Sequence, residues 1–434
     1  MSSDWSVFRR LTRPLQLLIA SQFVFNVGFF LVVPFLAAYL ENDLRLGGAL
    51  IGVILGVRTF SQQGLFFLGG ALADRFGITP VVVGGVVIRI AGFLTLALTR
   101  ELGWVVVGVV LIGVAAALFS PASESGIAGL AGQLEERGGP RRTQTLSVQL
   151  VASQAGSAVG PALGGVVLFA PFQVTCAIAA GLFAVIGVVH LVGLPAGLRV
   201  GTSASPGRSL AQVFRNRRFL AFAALNSVML LAYNQMYLAL PVELTRSGQD
   251  GASIAGYFLL ASVCVITGQA LVTHLVDRWP ARRVFGLGYA ITAVAFLVIA
   301  AVAWFPAPDG LVGALPTVTF VVLLHLGSMI VGPRSRDTVA ILGREQHLGA
   351  YLGVMASMGG LLVLVASGPL GALLEASRQP GPSAAGPWLV IAALPLLAAV
   401  AAGPLLSRIM PGSPATARPE GLLRSATAGR ASSR

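Results

Sequence analysis

The stretch Gly69-Gly70-Ala71-Leu72-Ala73-Asp74-Arg75-Phe76-Gly77 joins two long apolar runs, and the rest of the chain can be interpreted outward from it. The runs on either side cover about 48–73 and 80–98. Each is long enough to cross a bilayer, because about 20 helical residues span about 30 Å of hydrocarbon. An Asp-Arg pair between two such runs must lie in water at a membrane surface. The stretch therefore predicts a turn between two membrane helices.

A second copy of this turn occurs about half a chain later. Val276-Asp277-Arg278-Trp279-Pro280 again separates two apolar runs, and the pair Gly160-Pro161 is likewise echoed by Gly368-Pro369. A helix-joining turn that recurs at half length is typical of transporters built from two repeats. The sequence thus predicts an internal duplication.

Composition independently indicates a polytopic membrane protein. Of the 434 residues, 56% are hydrophobic and only 10% are charged, which is too apolar for a soluble globular protein. All 29 basic residues are arginine, and we interpret them as marks of loop positions rather than of nucleic-acid binding. The two cysteines lie inside apolar runs, so we expect neither a disulfide framework nor a metal site.

Apolar runs predict an all-α membrane protein with twelve transmembrane helices in two pseudo-symmetric six-helix bundles. The first half would occupy residues 1–194 and the second residues 219–408. A cytoplasmic linker over 195–218 would join them, and a disordered cytoplasmic tail would follow over 409–434. The twelve predicted helices cover about 15–40, 48–73, 80–98, 103–123, 145–169, 172–193, 219–243, 252–276, 283–304, 311–333, 347–374 and 387–408.

Arginine placement predicts the orientation of the chain in the membrane. If the N-terminus is cytoplasmic, 23 of the 29 arginines fall in segments on that side, four fall in outer loops, and Arg58 and Arg89 fall within helices. The positive-inside rule then puts both termini in the cytoplasm. We read the first apolar run as an uncleaved helix and expect a monomer in the cytoplasmic membrane of the cell.

The turn at Asp74 resembles the loop 2–3 motif of the major facilitator superfamily, a glycine-flanked Asp-Arg pair followed by basic residues. The two positions after Gly77 lack that basic pair, whereas the second copy keeps it. The resemblance implies a cytoplasmic gate in which Asp74 meets the start of helix 11 and Asp277 the start of helix 5. The gate residues of the two copies are Gly70, Asp74, Arg75, Gly77, Asp277 and Arg278.

Predicted helix 5 carries glycines four residues apart around a proline, namely Gly156, Gly160, Pro161 and Gly164. Glycines on one helix face let another backbone approach closely, and Pro161 removes a backbone hydrogen bond. A tight helix crossing is the plain structural interpretation. The pattern also resembles the helix 5 motif of drug–proton antiporters, which implies export rather than import.

A closer resemblance, to the MdtH-type multidrug efflux proteins, covers roughly the first 125 residues. It rests on the stretch from Gly56 to Gly77, on Arg89-Ile90-Ala91-Gly92-Phe93 and on Gly28-Phe29-Phe30. The resemblance implies an antiporter powered by the proton gradient, without a bound cofactor. Two features depart from many proton antiporters, since helix 4 lacks their arginine and helix 1 lacks a carboxylate.

Three residues are candidates for proton coupling. Glu124 lies near the inner end of helix 4, His325 midway along helix 10 and Arg58 about ten residues into helix 2. An arginine at mid-bilayer costs about 2.5 to 3.5 kcal/mol, so Arg58 should face protein or water. Each also has a structural interpretation: a buried ion pair for Arg58, an ion pair with Arg336 or Arg334 for Glu124, and a hydrogen-bonded buried histidine for His325.

The family resemblance implies that helices 1, 4, 7 and 10 line the substrate cavity, and helix 7 is the most polar of these. Aromatic rings with amide tips suit a mostly apolar ligand with a few polar groups. We therefore expect an amphipathic small molecule as the substrate. The predicted cavity residues are Asn26, Phe29, Arg58, Gln62, Asn226, Tyr233, Asn234, Tyr237 and Met329.

The sequence contains no Ser-His-Asp arrangement and no phosphate-cradling loop, so we expect neither an enzyme nor an ATP-driven pump. The predicted function is proton-coupled efflux of amphipathic small molecules, such as drugs or antibiotics, by alternating access. Two alternatives stay open on the same fold. One is an importer or facilitator of a metabolite, and the other is a lipid flippase or a membrane sensor without transport.

Overall fold

The computed structural model describes residues 2–167, 170–195, 197–198, 206–343 and 348–409. Within these residues, twelve spans are long and apolar enough to cross a membrane, which confirms the predicted number. The helices are α1 (Ser2–Arg9), α2 (Arg13–Asn42), α3 (Gly48–Gln63), α4 (Phe66–Phe76), α5 (Ile78–Leu98), α6 (Leu102–Glu136), α7 (Arg142–Val167), α8 (Phe172–Gly193), α9 (Pro206–Arg215), α10 (Arg217–Arg246), α11 (Ser253–Val276), α12 (Ala281–Val302), α13 (Leu311–Leu342), α14 (Leu348–Glu375) and α15 (Pro382–Ile409).

Two helices continue well past the ends that hydropathy predicts. Helix α6 ends at Glu136 rather than near residue 123, and α13 ends at Leu342 rather than near residue 333. At 1.5 Å per residue the 35 residues of α6 extend about 52 Å, beyond the roughly 30 Å of hydrocarbon. An apolar run ends where a helix leaves the lipid, so hydropathy does not report the part that continues in water.

Two further differences concern shorter segments. The second span is divided into α3 and α4 at Gly64 and Leu65. The predicted linker contains the helix α9, whose Val213 is fully buried in an apolar cluster with Phe219 and Tyr351. Residues 199–205 of the linker and 410–434 of the tail lie outside the described residues.

The helices pack as two groups, α2 to α8 and α10 to α15, which meet most extensively where α3 runs along α14. That contact is so close that a Cβ atom at Gly52 would overlap the carbonyl oxygen of Ser367, and one at Gly48 would overlap that of Gly371. Glycine is required there because no larger residue leaves room for the facing backbone.

Helix α7 packs against α2 within the first group. A Cβ atom at Gly156, Gly160 or Gly164 would lie too close to atoms of α2, including the carbonyl oxygens of Phe23, Val27 and Leu31. This is the tight helix crossing that the spacing of the glycines indicates. The glycine-proline motif therefore holds α7 against the first membrane helix.

Candidate functional site

A cavity of about 230 Å³ lies at the centre of the molecule, between the two groups of helices. Its wall is mostly apolar, with aromatic rings, one thioether and a few amide and hydroxyl groups. Of the predicted cavity residues, Tyr233 and Met329 line it directly, as does the proton-coupling candidate His325. The lining residues are Phe30, Gln154, Ser157, Tyr233, Phe258, Ala261, Ser262, Val265, Gln269, His325, Ser328 and Met329.

The cavity continues into a cleft between α7 and α11. Gln154, Val265 and Gln269 line both spaces, and the cleft, of about 540 Å³, runs on to His274 and Asp277 at the end of α11. This end carries Arg75, Arg142 and most other helix-terminal arginines, and we call it the arginine-rich side. The central cavity is therefore open toward the arginine-rich side.

Direct contacts between the two groups close the cavity toward the opposite side. Arg378 forms an ion pair with Glu41 at 2.7 Å, and the backbone N–H of Gly48 donates to Glu375 Oε2 at 3.2 Å. Deeper in the molecule, Thr59 Oγ1 donates to Asn234 Oδ1 at 3.0 Å. Sequence reasoning missed the Glu41–Arg378 pair, because the two residues lie far apart in the chain and no motif marks them.

The gate residues of the first copy lie at the arginine-rich side, at the end of α4. Gly77 has φ 93°, a left-handed conformation that favours glycine and lets the chain turn sharply into α5. Asp74 and Arg75 are exposed, and Asp74 forms no ion pair with a described residue. Among the described residues, no ion pair joins Asp74 to α14, and residues 344–347 before this helix lie outside the described residues, so the predicted contact stays a prediction.

The second copy of the gate lies at the mouth of the cleft. Asp277 lines the cleft, and its side chain is likewise without an ion pair among the described residues. Its backbone oxygen accepts a hydrogen bond from Arg334 Nη2 at 2.9 Å, and the same nitrogen donates to the oxygen of Trp279 at 3.1 Å. Arg334 therefore connects α13 to the turn after α11 through these hydrogen bonds. The sequence did not indicate this contact.

Arg58 is buried between the two groups of helices. Its Nη2 donates to Gln62 Oε1 at 2.7 Å, and its guanidinium carbon lies 4.6 Å from the ring centre of Phe29 and 5.5 Å from that of Tyr237. Its Nε has no hydrogen-bond partner among the described residues. The structure thus brings together Arg58, Gln62, Phe29 and Tyr237, all four of which were predicted to line the cavity. They lie one layer of side chains behind the cavity wall.

Arg89 is fully buried, and none of its three guanidinium nitrogens has a hydrogen-bond partner among the described residues. It lies instead among four phenylalanine rings, with the ring centre of Phe25 at 3.9 Å, Phe183 at 5.0 Å, Phe29 at 5.3 Å and Phe93 at 5.7 Å. Cation–π attraction is what stabilises this charge.

Glu124 lies on α6, and its side chain is exposed to solvent. The charged group that acts on the Glu124 carboxylate is the guanidinium of Arg336, which belongs to α13 in the other group of helices. No described basic group comes within ion-pair distance of it. Glu124 therefore lies on the side of α6 that is turned toward Arg336 of the second group of helices.

His325 is buried in the cavity wall. Its Nδ1 lies 2.8 Å from the carbonyl oxygen of Val321, which can only accept, so Nδ1 carries the proton. The imidazole also meets the ring of Tyr233 edge to face at 5.9 Å. This arrangement leaves Nε2 as the nitrogen that can bind a further proton.

Two amides predicted for the cavity take part in local hydrogen bonds instead. Asn226 Oδ1 accepts from Ser335 Oγ at 2.8 Å and from the hydroxyl of Tyr289 at 3.3 Å, between α10, α12 and α13. Asn26 Nδ2 donates to the oxygen of Gln22 at 2.7 Å. Neither lines the central cavity.

A buried ion pair lies at the far end of α10, where sequence reasoning placed only a helix end and a loop. Arg246 Nη2 donates to Glu243 Oε1 at 2.6 Å and its Nε to Oε2 at 2.8 Å. Both side chains are at most 2% exposed. Their spacing of three residues on one helix was the available signal.

Comparison with known proteins gives one consistent family. The family model described as Major Facilitator Superfamily matches residues 18–367. An uncharacterized MFS-type transporter of Mycobacterium tuberculosis is 33% identical over 386 residues, covering 86% of this chain and 89% of that protein. The multidrug resistance protein MdtH of Escherichia coli is 26% identical over 382 residues, covering 87% of this chain and 90% of that protein.

A solved structure supports the same fold. The crystal structure of an auto-inhibited POT family peptide transporter superposes with a TM-score of 0.73 and covers 92% of this chain and 97% of that chain, at 17% sequence identity. At this identity the likeness concerns the fold alone. With the family model across most of its length, the chain belongs to the major facilitator superfamily and is a multi-pass transporter of the cell membrane.

Proposed function

We propose that this transporter exports amphipathic small molecules in exchange for protons. The observation that carries the proposal is the central cavity, which is open toward the arginine-rich side and closed toward the other. The positive-inside rule makes the arginine-rich side cytoplasmic. A wall of aromatic rings, a thioether and a few amides suits ligands that are apolar with isolated polar groups. The similarity to a multidrug resistance protein over 87% of the chain supports export.

Alternating access follows from how the two groups of helices meet. Closing the cleft would bring together the parts of α7 and α11 that border it and would move Asp277 toward α7. Opening the other side would separate Glu41 from Arg378 and Thr59 from Asn234, which are in contact now. If the substrate and the proton each bind one of the two states more tightly than the other, and the preferred states differ, these differences in affinity drive the exchange.

The proton carriers in this proposal are Glu124 and His325. In this proposal Glu124 exchanges its proton at the arginine-rich side, while His325 presents a basic nitrogen at the cavity wall. One charge that crosses 100 mV releases about 2.3 kcal/mol, which sustains a roughly fiftyfold gradient of a neutral substrate.

A lipid flippase is the second candidate, and the cleft is the observation that favours it. The cleft between α7 and α11 is lined by Leu150, Val151 and Ile266, which are among the exposed large apolar residues. An acyl chain could occupy such a surface while the headgroup enters the cavity. The two candidates differ in what crosses the membrane.

Inverted membrane vesicles from an efflux-deficient host test the proposal. ATP-driven acidification of their interior should drive uptake of at least one probe from a panel of neutral, cationic and acidic fluorescent amphipaths. The uptake should disappear when an ionophore collapses the proton gradient, and it should be absent from vesicles without the protein. Movement of a fluorescent phospholipid alone would favour the flippase, and no gradient-dependent uptake of any probe would contradict the proposal.

A further inference from the structure

The interior of the first group of helices holds two positive charges without a negative partner. Arg58 and Arg89 are 5% and 0% exposed, and both lie against the ring of Phe29. Neither forms an ion pair with any described residue, and the ionisable groups that influence them are tyrosines and each other. An unpaired buried charge is costly, and Arg58 still has an Nε without a hydrogen-bond partner among the described residues, so it retains the capacity to bind an anionic group.

The two arginines differ in what can reach them. Arg89 is enclosed by four phenylalanine rings, and a ligand could reach it only if these rings moved apart. Arg58 is covered by Tyr237, whose ring meets that of Tyr233 at 6.0 Å, and Tyr233 lines the central cavity. Only one layer of side chains therefore separates Arg58 from a molecule in the cavity.

The cavity wall itself carries no carboxylate among its described lining residues. Its one ionisable group of basic character is His325. The described acids nearest to the pathway, Glu124 and Asp277, lie toward the arginine-rich side rather than in this wall. A cationic molecule in the central cavity would thus lack a counter-charge, whereas an anionic one would face Arg58.

We propose that the transported molecules include amphipathic organic acids and that Arg58 binds their carboxylate. The inference rests on the proposed function and names its substrate class. The carboxylate would displace Gln62 from Nη2 and could use the Nε that has no partner, giving the paired hydrogen bonds that a guanidinium forms with a carboxylate. Arg58 would then be a specificity-determining residue.

Binding at Arg58 would also bear on the switch between states. Tyr237, which covers Arg58, belongs to the other group of helices, and the neighbouring Thr59 donates to Asn234 of the same helix. A carboxylate that withdrew the guanidinium from Tyr237 would remove one contact that closes the side opposite the arginine-rich side. Acidic substrates would thereby favour the state that releases them.

Three matched probes on one scaffold test the proposal: pyrenebutyric acid, its methyl ester and pyrenebutylamine. Binding to the purified full-length protein is measured at neutral pH by energy transfer from tryptophan to pyrene. We expect the acid to bind at least about tenfold more tightly than the ester, because a charge-assisted pair replaces a weak contact. The amine should bind more weakly than the ester.

Variants of Arg58 test whether this residue causes the preference for the acid over the ester. Arg58→Gln should bring the acid-to-ester ratio to about one, and Arg58→Lys should retain part of it, since lysine keeps the charge without the planar fork. Arg100→Gln removes the same charge from an exposed position after α5 and should leave the ratio unchanged. Ester binding reports whether each variant is folded.

Two results would overturn the inference: equal binding of acid and ester by the unaltered protein, or a full preference in folded Arg58→Gln. Transport measurements distinguish a failure of the acid-binding inference from a failure of the proposed function. Gradient-driven export of the ester without the acid would leave efflux standing and remove the acid preference. Arg58-dependent acid binding without gradient-driven movement of any probe would keep the acid preference and contradict the proposed function.

Discussion

At the scale of single residues, Glu124 is the first of the proposed proton carriers to test. Its carboxylate lies on α6, and the charged group that acts on it is Arg336 of the other group of helices. If it carries the proton, Glu124→Gln removes gradient-driven export but leaves downhill movement of substrate intact. Efflux and counterflow in proteoliposomes measure the two separately.

Glu136→Gln is the matched control, because Glu136 is an exposed carboxylate at the end of the same helix. It should leave both activities unchanged. Concentrative export with normal pH dependence in Glu124→Gln would make Glu124 a structural residue. His325 would then be the next residue to replace.

Asp74 lies at the exposed end of α4 and does not line the central cavity. It is exposed here, and we expect it to meet a helix start when the arginine-rich side closes. Loss of a carboxylate from a helix N-terminus costs about 0.3 to 1 kcal/mol, so Asp74→Asn should slow turnover roughly two- to fivefold. Substrate affinity should stay the same, and a large loss of affinity with normal turnover would refute this placement.

Side-chain partners were the least predictable part of the site. The sequence predicted Arg58, Gln62, Phe29 and Tyr237 as cavity residues, whereas in the structure they form one cluster behind the cavity wall. Such contacts join helices far apart in the chain, and neither periodicity nor a local motif records them. Asn226 shows the converse, because a polar residue on a predicted cavity helix binds Ser335 and Tyr289 instead.

At the scale of elements, the packing of α7 on α2 gives a sharp prediction. Gly160→Leu would force its side chain into Val27 and Phe30 of α2. Overpacking of this kind costs about 1 to 3 kcal/mol, and we expect export to fall at least about tenfold while the protein still inserts. Gly84→Leu on α5, where nothing lies within 4 Å of the new Cβ, is the control.

Export is measured as gradient-driven probe uptake, with membrane-inserted protein quantified in parallel. Undiminished export by Gly160→Leu would contradict the packing argument. A protein that fails to insert would show instead that this crossing is needed earlier, for assembly.

The number of membrane spans and their helical type could be predicted from the sequence because each span must bury about 20 apolar residues in lipid. The ends of α6 and α13 could not, since the parts beyond the predicted ends are interrupted by charged residues such as Glu135, Arg334 and Asp337. Helix α9 was missed for the same reason. A short amphipathic helix looks like a linker when only hydropathy is considered.

At the scale of the whole molecule, the Glu41–Arg378 ion pair holds the two groups of helices together on one side. Partly exposed pairs of this kind contribute about 0 to 1 kcal/mol. Arg378→Glu should therefore shift the balance toward the state open on that side by up to about fivefold or somewhat more, because repulsion replaces attraction. Spin labels on the facing ends of α2 and α14 measure the distance distribution.

The charge-swapped double variant, Glu41→Arg with Arg378→Glu, is the control. It should restore the original distribution, since attraction returns with the residues exchanged. If the single variant leaves the distribution unchanged, the glycine contacts between α3 and α14 hold this side without the ion pair.

The cage around Arg89 has a consequence for how the protein is made. Its rings come from α2, α5 and α8, so the cage still lacks Phe183 when α5 leaves the ribosome and stays incomplete until α8 has been synthesised. A single helix with a mid-membrane arginine inserts poorly. We therefore expect α5 to wait beside the insertion machinery until the first six spans assemble together. Nascent chains that stop before Phe183 should be the ones that quality-control proteases remove.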